Sequence, residues 1–363
     1  MNIIFAVILF SVIVLFHEFG HFLLARACRV AVLEFSLGMG PRLLSHVSAR
    51  SGTRYSLKLL PFGGSCRMLG EDGEEAPEEE AQQEYRLRPG EGPFGSKKIW
   101  QRFLIIAAGP VFNFLLAFLF AAVIISFAGY DAPVAAYVSE GYPLEQAGVR
   151  AGDRITSIGG RRITVYRDIT NYVSFHQREM ASGSPLTVTW DDGTQTRSAR
   201  ITPMLSSDGT RYILGLAGGG RYTADHAGTV FIYSLYEVRY WILTTLESLR
   251  MIGQGEVSLD DVSGPVGVVQ VISETYEETK SDGALLVFLN LLNLAILLSA
   301  NLGVMNLIPF PALDGGRIAL LALEAVRRRK LGEEVEGWIN LAGFAALMVL
   351  MIVILFNDIR KIL

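Results

Sequence analysis

The first stretch of the chain, residues 1–25, decides the fold. It reads Met-Asn-Ile-Ile-Phe-Ala-Val-Ile-Leu-Phe-Ser-Val-Ile-Val-Leu-Phe-His-Glu-Phe-Gly-His-Phe-Leu-Leu-Ala. A run of about 20 apolar residues is long enough for a helix to cross a bilayer. No basic region precedes the run and no small-residue cleavage site follows it, so we expect a retained membrane helix and not a signal peptide. Its only ionisable side chains are His17, Glu18 and His21.

The spacing of these three residues predicts a metal site. Histidines four residues apart lie on one face of a helix, so His17 and His21 can bind the same zinc ion. Zinc lowers the pKa of a bound water toward about 7, and Glu18 is placed to act as the general base for amide hydrolysis. Polar side chains in an apolar helix are costly unless they are paired or bound to a metal. The alternative is a buried polar cluster without catalysis.

The composition favours a membrane protein. Of the 363 residues, 50% are hydrophobic and 19% are charged, and the mean hydropathy is +0.35. These values are too apolar for an ordinary soluble domain. No basic stripe with interleaved aromatic residues stands out, which argues against a nucleic-acid partner. Cys28 and Cys66 lack metal-ligand spacing, so we expect two free thiols and no disulfide framework.

Four segments are long and apolar enough to cross a bilayer, which predicts a polytopic α-helical membrane protein. Lysine and arginine are concentrated in two loops, with eleven of them in residues 26–98 and Arg-Arg-Arg-Lys at residues 327–330. Such loops stay in the cytoplasm, so we expect both termini and residues 130–282 on the outer side. The predicted spans are residues 1–25, 103–129, 284–308 and 338–356.

Two further segments predict β structure. Residues 33–69 alternate strand-like pieces with Gly, Pro and Ser, which predicts a β-sheet at the cytoplasmic face of the membrane. Its edge could accept an extended peptide as an added strand, although a purely structural hairpin is the alternative. Residues 133–203 have the mixed pattern of an α+β domain, and residues 142–160 resemble the PDZ signature. Domains of that type bind peptide ends by strand addition, unless the domain serves only as a folded spacer.

The stretch at residues 229–246 is apolar but contains Glu237 and Arg239. A charged residue in the middle of a bilayer costs at least about 2.5–3.5 kcal/mol. We therefore predict an interfacial amphipathic helix here and not a fifth span.

A catalytic zinc usually takes three protein ligands, so one more is needed. The candidate is Asp314, which follows the third span in the stretch 306–317, Asn-Leu-Ile-Pro-Phe-Pro-Ala-Leu-Asp-Gly-Gly-Arg. With three spans before it, Asp314 arrives at the cytoplasmic end, where His17 and His21 also lie. A fifth span would place it on the opposite side. The alternative for Asp314 is an ordinary helix cap.

Motifs spread over nearly the whole chain together resemble the site-2 protease family of intramembrane zinc metalloproteases, in particular its bacterial sigma-E-protease type. The motifs are residues 17–21 (His-Glu-Phe-Gly-His), 60–64 (Leu-Pro-Phe-Gly-Gly), the PDZ-like segment, 263–267 (Ser-Gly-Pro-Val-Gly) and 301–316, which ends in Leu-Asp-Gly-Gly.

The resemblance implies roles for these residues. In the family, the positions of His17, His21 and Asp314 bind Zn²⁺ and the position of Glu18 supplies the base. The asparagines, here Asn301 and Asn306, engage or position the substrate. The glycine turn, here Gly63 and Gly64, belongs to a membrane-associated sheet that binds substrate. Gram-negative members carry two PDZ domains, whereas this chain has room for one.

The resemblance also implies the substrates and the location. The expected substrates are single-span membrane proteins already trimmed on the outer side, such as anti-sigma factors, and remnant signal peptides. Peptide ends could bind the PDZ domain. The expected location is a bacterial cytoplasmic membrane, with the termini and the PDZ domain outside and the active site toward the cytoplasm. A catalytically silent membrane scaffold and a metal transporter are the alternative functions.

The predicted organisation follows from these assignments. It consists of a first membrane helix with the histidine motif (1–27), a cytoplasmic β region with an acidic loop (28–99), a second membrane helix (100–129), a PDZ domain (130–205), an outer linker with an amphipathic helix (206–283), a third membrane helix with the Leu-Asp-Gly motif (284–316), a cytoplasmic loop (317–337) and a fourth membrane helix (338–363).

Overall fold

The computed structural model describes residues 2–71, 88–218, 220–257, 263–329 and 332–362. The chain divides into two compact units. We call residues 1–117 and 251–363 the membrane unit, and residues 118–250 the α+β unit. The acidic loop predicted within the cytoplasmic region 28–99 corresponds to residues 71–84, and of these only Glu71 belongs to the described residues.

Ten helices and twelve strands make up the described part of the chain. The helices are α1 (Asn2–Ala27), α2 (Ile99–Ala128), α3 (Pro143–Gln146), α4 (Tyr166–Phe175), α5 (Gln177–Ala181), α6 (Ala227–Gly253), α7 (Pro265–Thr279), α8 (Ala284–Leu307), α9 (Asp314–Arg327) and α10 (Glu333–Ile362). The strands are β1 (Val32–Val47), β2 (Arg54–Met68), β3 (Tyr130–Asp131), β4 (Tyr137–Val138), β5 (Arg154–Ile158), β6 (Arg161–Arg162), β7 (Leu186–Asp191), β8 (Thr196–Ile201), β9 (Met204–Leu205), β10 (Tyr212–Ile213), β11 (Leu216–Ala217) and β12 (Arg221–Tyr222).

Four of the described helices, α1, α2, α8 and α10, are long and apolar enough to cross a membrane. The described residues therefore contain four candidate spans, the number that was predicted. The helix over residues 229–246 extends further than predicted, as α6, and it is not one of these four candidate spans.

Small residues allow the first three spans to pack closely, as is common between membrane helices. A Cβ atom on Gly20 of α1 would lie 2.5 Å from the carbonyl oxygen of Ala108 in α2. A Cβ atom on Gly303 of α8 would lie 2.7 Å from the ring of Phe114 in α2. The glycine inside the His-Glu-Phe-Gly-His motif thus brings α1 against α2 where the histidines lie.

Strands β1 and β2 pair antiparallel, with several register shifts. Phe35 in the first half of β1 lies opposite Cys66 and also opposite Tyr55, while His46 in the second half lies opposite Tyr55. Residues 64–68 of β2 therefore form one outer edge of this sheet, since their register partners within the described residues all belong to the first half of β1.

A short irregular connection joins α8 to α9. Ala312 has a φ of +70°, a conformation that costs energy for a residue with a side chain. Gly315 and Gly316 lie in the first turn of α9. Glycine is needed there because a Cβ on Gly315 would lie 2.2 Å from the carbonyl oxygen of Ile308, and one on Gly316 would lie 2.2 Å from that of Phe310.

The Ser-Gly-Pro-Val-Gly motif begins helix α7. The carboxylate of Asp358, near the end of α10, accepts hydrogen bonds from the backbone amides of Gly264 (3.0 Å) and Gly267 (2.9 Å). These amides have no partner within their own helix, and a carboxylate is a favourable acceptor at a helix N-terminus. The motif therefore forms the capped start of a helix that the sequence did not predict.

The α+β unit is built around a four-stranded sheet in the order β6-β5-β7-β8. Its strands continue past the predicted boundary at residue 205, because β11 pairs with β4 and β12 pairs with β3. Its core includes the buried residues Leu144, Ile155, Ile158, Met180, Val188 and Trp190.

Helix α6 packs against α4 within the α+β unit. The guanidinium of Arg167 forms an ion pair with Glu237, and Arg239 lies 3.1 Å from Asp168. Glu237 and Arg239, the charged residues that argued against a fifth span, are therefore both paired with residues of α4.

Candidate metal centre

Helix α1 supplies two of the three side chains that converge in the membrane unit. His17 and His21 are one helical turn apart and are only 7% and 9% exposed. Their Nε2 atoms lie 3.2 Å from each other. The spacing in the sequence therefore places both imidazoles on one face, as predicted.

Asp314, the first residue of α9, brings the third side chain to the same point. Its Oδ2 atom lies 3.2 Å from Nε2 of His17 and 3.5 Å from Nε2 of His21. The irregular connection after α8 and the two glycines that follow Asp314 allow this close approach. These three residues are the one group in the described part of the chain whose side chains could hold a metal ion.

The outer nitrogens of both imidazoles have partners that determine the tautomer. Nδ1 of His21 lies 2.9 Å from the carbonyl oxygen of Ile105, so Nδ1 carries the proton and donates it. Nε2 of His21 is then unprotonated and can bind a metal. Metal-binding histidines usually donate their other ring proton in this way.

His17 has an equivalent partner in Asn113 of α2, whose side-chain amide lies 3.1 Å from Nδ1. The oxygen and nitrogen of an amide can exchange places by rotation. With the nitrogen toward His17, Nδ1 of His17 has to accept the hydrogen bond, and the ring proton then lies on Nε2, the atom that faces Asp314. With Oδ1 toward His17, it accepts the proton of Nδ1 and leaves Nε2 free for a metal, and we adopt this orientation.

The three converging atoms then have the chemistry of a zinc site. Two unprotonated nitrogens and a carboxylate oxygen with no hydrogen-bond donor repel one another unless a cation lies among them. Ligands of a tetrahedral zinc, with bonds of about 2.0–2.2 Å, are separated by about 3.3–3.5 Å. The observed separations of 3.2, 3.2 and 3.5 Å fit this arrangement.

Gly109 of α2 leaves the space that the imidazoles occupy. A Cβ atom there would lie 2.3 Å from Nε2 of His21 and 2.6 Å from Cε1 of His17. Gly109 and Asn113 are four residues apart, so they lie on the same face of α2. One helix therefore provides both the room for the histidines and the orientation of one of them.

A cavity of about 310 Å³ opens on this centre. Glu18 lines it together with the three converging residues and with Asn306. Asn301, the other predicted substrate-binding asparagine, is not among the described residues that line it. Glu18 is thus beside the centre without belonging to the group that could hold the metal.

The outer edge of the β1–β2 sheet reaches this cavity. A Cβ atom on Gly64 would lie 3.2 Å from Cγ of Glu18, so the strand passes directly beside the predicted base. Cys66 and Met68 of the same edge also line the cavity. Gly63 has a φ of +81° and lies near Met39.

Sequence reasoning missed several residues of the centre. Asn113 and Gly109 lie in the predicted span at residues 103–129, which has no ionisable residues. The ion pair between Arg317 and Glu71 was also missed; both residues line the cavity. An asparagine and a glycine four residues apart in an apolar helix were the available signal. Cys66 is a free thiol, as predicted, and burial raises its pKa.

The chain belongs to peptidase family M50, whose model matches residues 5–350. The predicted resemblance to the site-2 proteases is thereby confirmed, and with it the expectation of a membrane peptidase.

Relatives match over nearly the full length. The zinc metalloprotease RasP of Geobacillus kaustophilus is 29% identical over 99% of this chain and 98% of its own. The regulator of sigma-W protease RasP of Bacillus subtilis is 29% identical over 98% of this chain and 97% of its own. Among solved structures, the PDZ domain of an SdrC-like protein from Listeria innocua is 18% identical with a TM-score of 0.21, covering 26% of this chain and 100% of that one.

Proposed function

We propose that this membrane-embedded zinc metalloprotease hydrolyses the spanning segments of single-span membrane proteins. The observation that carries the proposal is the convergence of His17, His21 and Asp314 beside Glu18. The two histidines and Glu18 belong to a helix long and apolar enough to cross a membrane. A hydrolytic centre at this depth acts on peptide bonds that soluble peptidases do not reach.

His17, His21 and Asp314 would hold the zinc ion. Bound zinc lowers the pKa of water and polarises a carbonyl group. Glu18 accepts a proton from the attacking water and later donates it to the leaving amine. Asn113 and the Ile105 carbonyl keep the proton on Nδ1 of the two histidines, which holds both rings in the binding orientation.

The sheet edge at residues 64–68 supports a role in holding the substrate. A helical span hides its peptide bonds in its own hydrogen bonds, so hydrolysis requires an extended segment. An open strand edge offers backbone groups to such a segment. Gly64 keeps that edge close to Glu18. In this proposal Gly63 and Gly64 shape the edge, and Asn306 and Asn301 compete for the backbone hydrogen bonds of the substrate.

The proposed substrates are anti-sigma factors trimmed on the outer side and remnant signal peptides. The name of the Bacillus subtilis relative, regulator of sigma-W protease, supports this class. The basic loops support an orientation with the α+β unit and both termini outside and the metal centre toward the cytoplasm of a bacterium.

The experiment compares zinc content and cleavage of a model membrane segment for the wild type, Glu18→Gln and Asp314→Asn. Glu18→Gln should retain zinc and lose cleavage by a factor of at least about 10²–10⁴, the usual contribution of a general base. Asp314→Asn should lose zinc, measured by mass spectrometry of the metal in the purified protein.

The matched control is Glu140→Gln, which makes the same change at an exposed site in the α+β unit. It should leave both zinc and cleavage unchanged. Full cleavage by Glu18→Gln would show that this residue is not the base, and zinc binding by Asp314→Asn at wild-type strength would remove Asp314 from the ligand set.

A further inference from the structure

Strand β11 of the α+β unit has one edge paired with β4 and one edge that faces away from it. The register places Leu216 opposite Val138, and the Ser139 amide donates to the Gly215 carbonyl at 2.9 Å. In an antiparallel pair, bonded residues alternate with residues whose N–H and C=O point away from the partner strand. The backbone groups of Leu216 and Gly218 therefore point to the outer edge.

Tyr166, the first residue of α4, meets this outer edge with its hydroxyl group. The hydroxyl donates a hydrogen bond to the Leu216 carbonyl at 3.4 Å, and the hydroxyl oxygen accepts one from the backbone amide of Gly218. Burial raises the pKa of Tyr166, so the hydroxyl keeps its proton at neutral pH. One side chain thus satisfies a carbonyl and an amide on the same edge.

The ring of Tyr166 lies directly on Gly218. A Cβ atom at that position would be 1.9 Å from Cε2 and 2.2 Å from Cδ2 of the ring. Any residue larger than glycine would force the ring away from the strand. The ring and the glycine are therefore matched in shape, and the hydroxyl reaches the edge because Gly218 has no side chain.

An extended peptide that joined this edge would need the same two backbone groups. Strand addition takes its affinity from main-chain hydrogen bonds between the peptide and an open edge. At β11 these bonds are already made by Tyr166, and the ring fills the space that the peptide backbone would occupy. A peptide could enter only after the Tyr166 side chain rotated away from the strand.

We propose that Tyr166 closes the outer edge of β11 and keeps a strand-addition site for extended peptides in an autoinhibited state. This control lies outside the metal centre and does not depend on the proposed substrates. The site takes a peptide strand when Tyr166 is displaced, and it binds none while the hydroxyl holds Leu216 and Gly218.

Hydrogen exchange of the full-length protein in detergent tests the closed state. In Tyr166→Phe the ring remains but the hydroxyl is lost, so the fragment that contains Leu216 and Gly218 should exchange about fivefold faster, the factor that corresponds to about 1 kcal/mol for one net hydrogen bond. The control is Tyr137→Phe on β4, a residue that is 59% exposed. It should leave that fragment unchanged. Equal exchange in the wild type and Tyr166→Phe would overturn the proposal.

Peptide binding tests the consequence. The probe is fluorescein-labelled Thr-Val-Thr-Val with a free carboxylate, titrated by fluorescence anisotropy against the wild type and Tyr166→Ala. Binding should be at least about tenfold tighter to the variant, since two hydrogen bonds and a ring no longer have to be displaced. Binding at the metal centre is common to both proteins and cancels in the comparison. Equally tight binding would contradict the closed edge. If Tyr166→Ala loses cleavage of a model membrane segment and does not fold, the exchange experiment decides.

Discussion

The three converging side chains are held in place by residues that carry no charge. Asn113 and the Ile105 carbonyl orient the imidazoles, Gly109 gives them room, and Gly20 lets α1 lie against α2. A charged partner in the same place would have to be desolvated at a cost of several kcal/mol. Neutral partners avoid this cost in a part of the molecule that water reaches poorly.

Replacement of Gly109 by alanine should remove the metal from the centre. The added methyl group would lie within 2.3 Å of Nε2 of His21, so the imidazole has to leave its position. We expect a large loss of bound zinc per chain and a parallel loss of cleavage. Gly337→Ala in α10 is the control, because a Cβ there meets nothing within 4 Å. A Gly109→Ala protein with full zinc would contradict the assigned metal position.

Replacement of Asn113 by leucine should weaken zinc binding without abolishing it. His17 would lose the acceptor for its Nδ1 proton, and loss of such a partner usually lowers metal affinity by about 10–100-fold. Competition with a zinc chelator measures the change in Kd. Asn290→Leu in α8 makes the same substitution in another span and should leave the Kd as in the wild type. An unchanged Kd in Asn113→Leu would mean that His17 is oriented by another group.

The converging residues were largely predictable from the sequence, but their supports were not. His17 and His21 follow from helical spacing, and Asp314 follows from the number of spans that precede it. Asn113 and Gly109 act only through contacts between α1 and α2, and a sequence does not state which faces of two helices meet. This is why the partners of a metal ligand are harder to find than the ligand.

At the scale of elements, the β1–β2 sheet contains a buried carboxylate. Glu34 is 3% exposed. It accepts hydrogen bonds from Nε of Arg42 (2.7 Å) and from the hydroxyl of Ser56 (2.6 Å). Burial alone would raise the pKa of Glu34, but these hydrogen bonds outweigh it and lower the pKa from 4.5 to about 2.

The lowered pKa predicts a stability contribution that depends on pH. The ionised form of Glu34 is favoured by folding, so its contribution is complete above the ordinary value of 4.5 and is lost as the pH falls toward about 2. At pH 7, Glu34→Gln should be less stable than the wild type by about 1–3 kcal/mol, since hydrogen bonds to a charged group are lost. The difference should shrink as the pH falls below the ordinary value.

Thermal unfolding followed by near-ultraviolet circular dichroism, in detergent and over a series of pH values, measures this difference. Glu140→Gln serves as the matched control, because Glu140 is exposed and should show no such dependence. A destabilisation by Glu34→Gln that stays constant down to the lowest pH would exclude an ionised Glu34 as its cause.

Two helices and two short strands were not predicted from the sequence. Helix α9 covers most of a stretch that was predicted to be part of a cytoplasmic loop. The prediction rested on the basic residues at the end of the helix, which indicate a solvent-exposed segment but do not exclude a helix before them. Helix α7 was missed because its N-terminus is capped by Asp358, which is distant in the sequence. The late strands β11 and β12 were missed because each has only two residues.

At the scale of the whole molecule, the orientation in the membrane can be tested directly. In a variant with Cys28→Ala and Cys66→Ala, single cysteines replace Glu140 in the α+β unit or Arg329 after α9. A maleimide that does not cross membranes, added to cells without walls, should label Glu140→Cys before lysis and Arg329→Cys only after lysis. The reason is the concentration of lysine and arginine in the two loops predicted to stay in the cytoplasm.

Both cysteines should react after the membrane is dissolved in detergent, which controls for accessibility. Labelling of Arg329→Cys in intact cells would reverse the predicted orientation and place the metal centre toward the outer side.

The overall architecture was more accessible to prediction than its internal packing. Four spans and an inserted α+β segment follow from hydropathy and pattern, since membrane helices need long apolar runs. After α8, Ala312 has a positive φ and two glycines lie in the first turn of α9. This conformation depends on the close contacts of these glycines with the backbone of Ile308 and Phe310. Such contacts arise only once the helices have assembled.

The bond from Asp358 to the start of α7 also has a consequence for biosynthesis. Its two ends are 94 residues apart in the chain, and a ribosome adds about 5–20 residues per second. The start of helix α7 is therefore synthesised roughly 5–20 s before Asp358, which accepts its amide hydrogen bonds. All three converging side chains, including Asp314, are translated during or before that interval. A nascent chain that stalls within α10 would thus carry a complete set of metal ligands while the start of α7 is still without its acceptor.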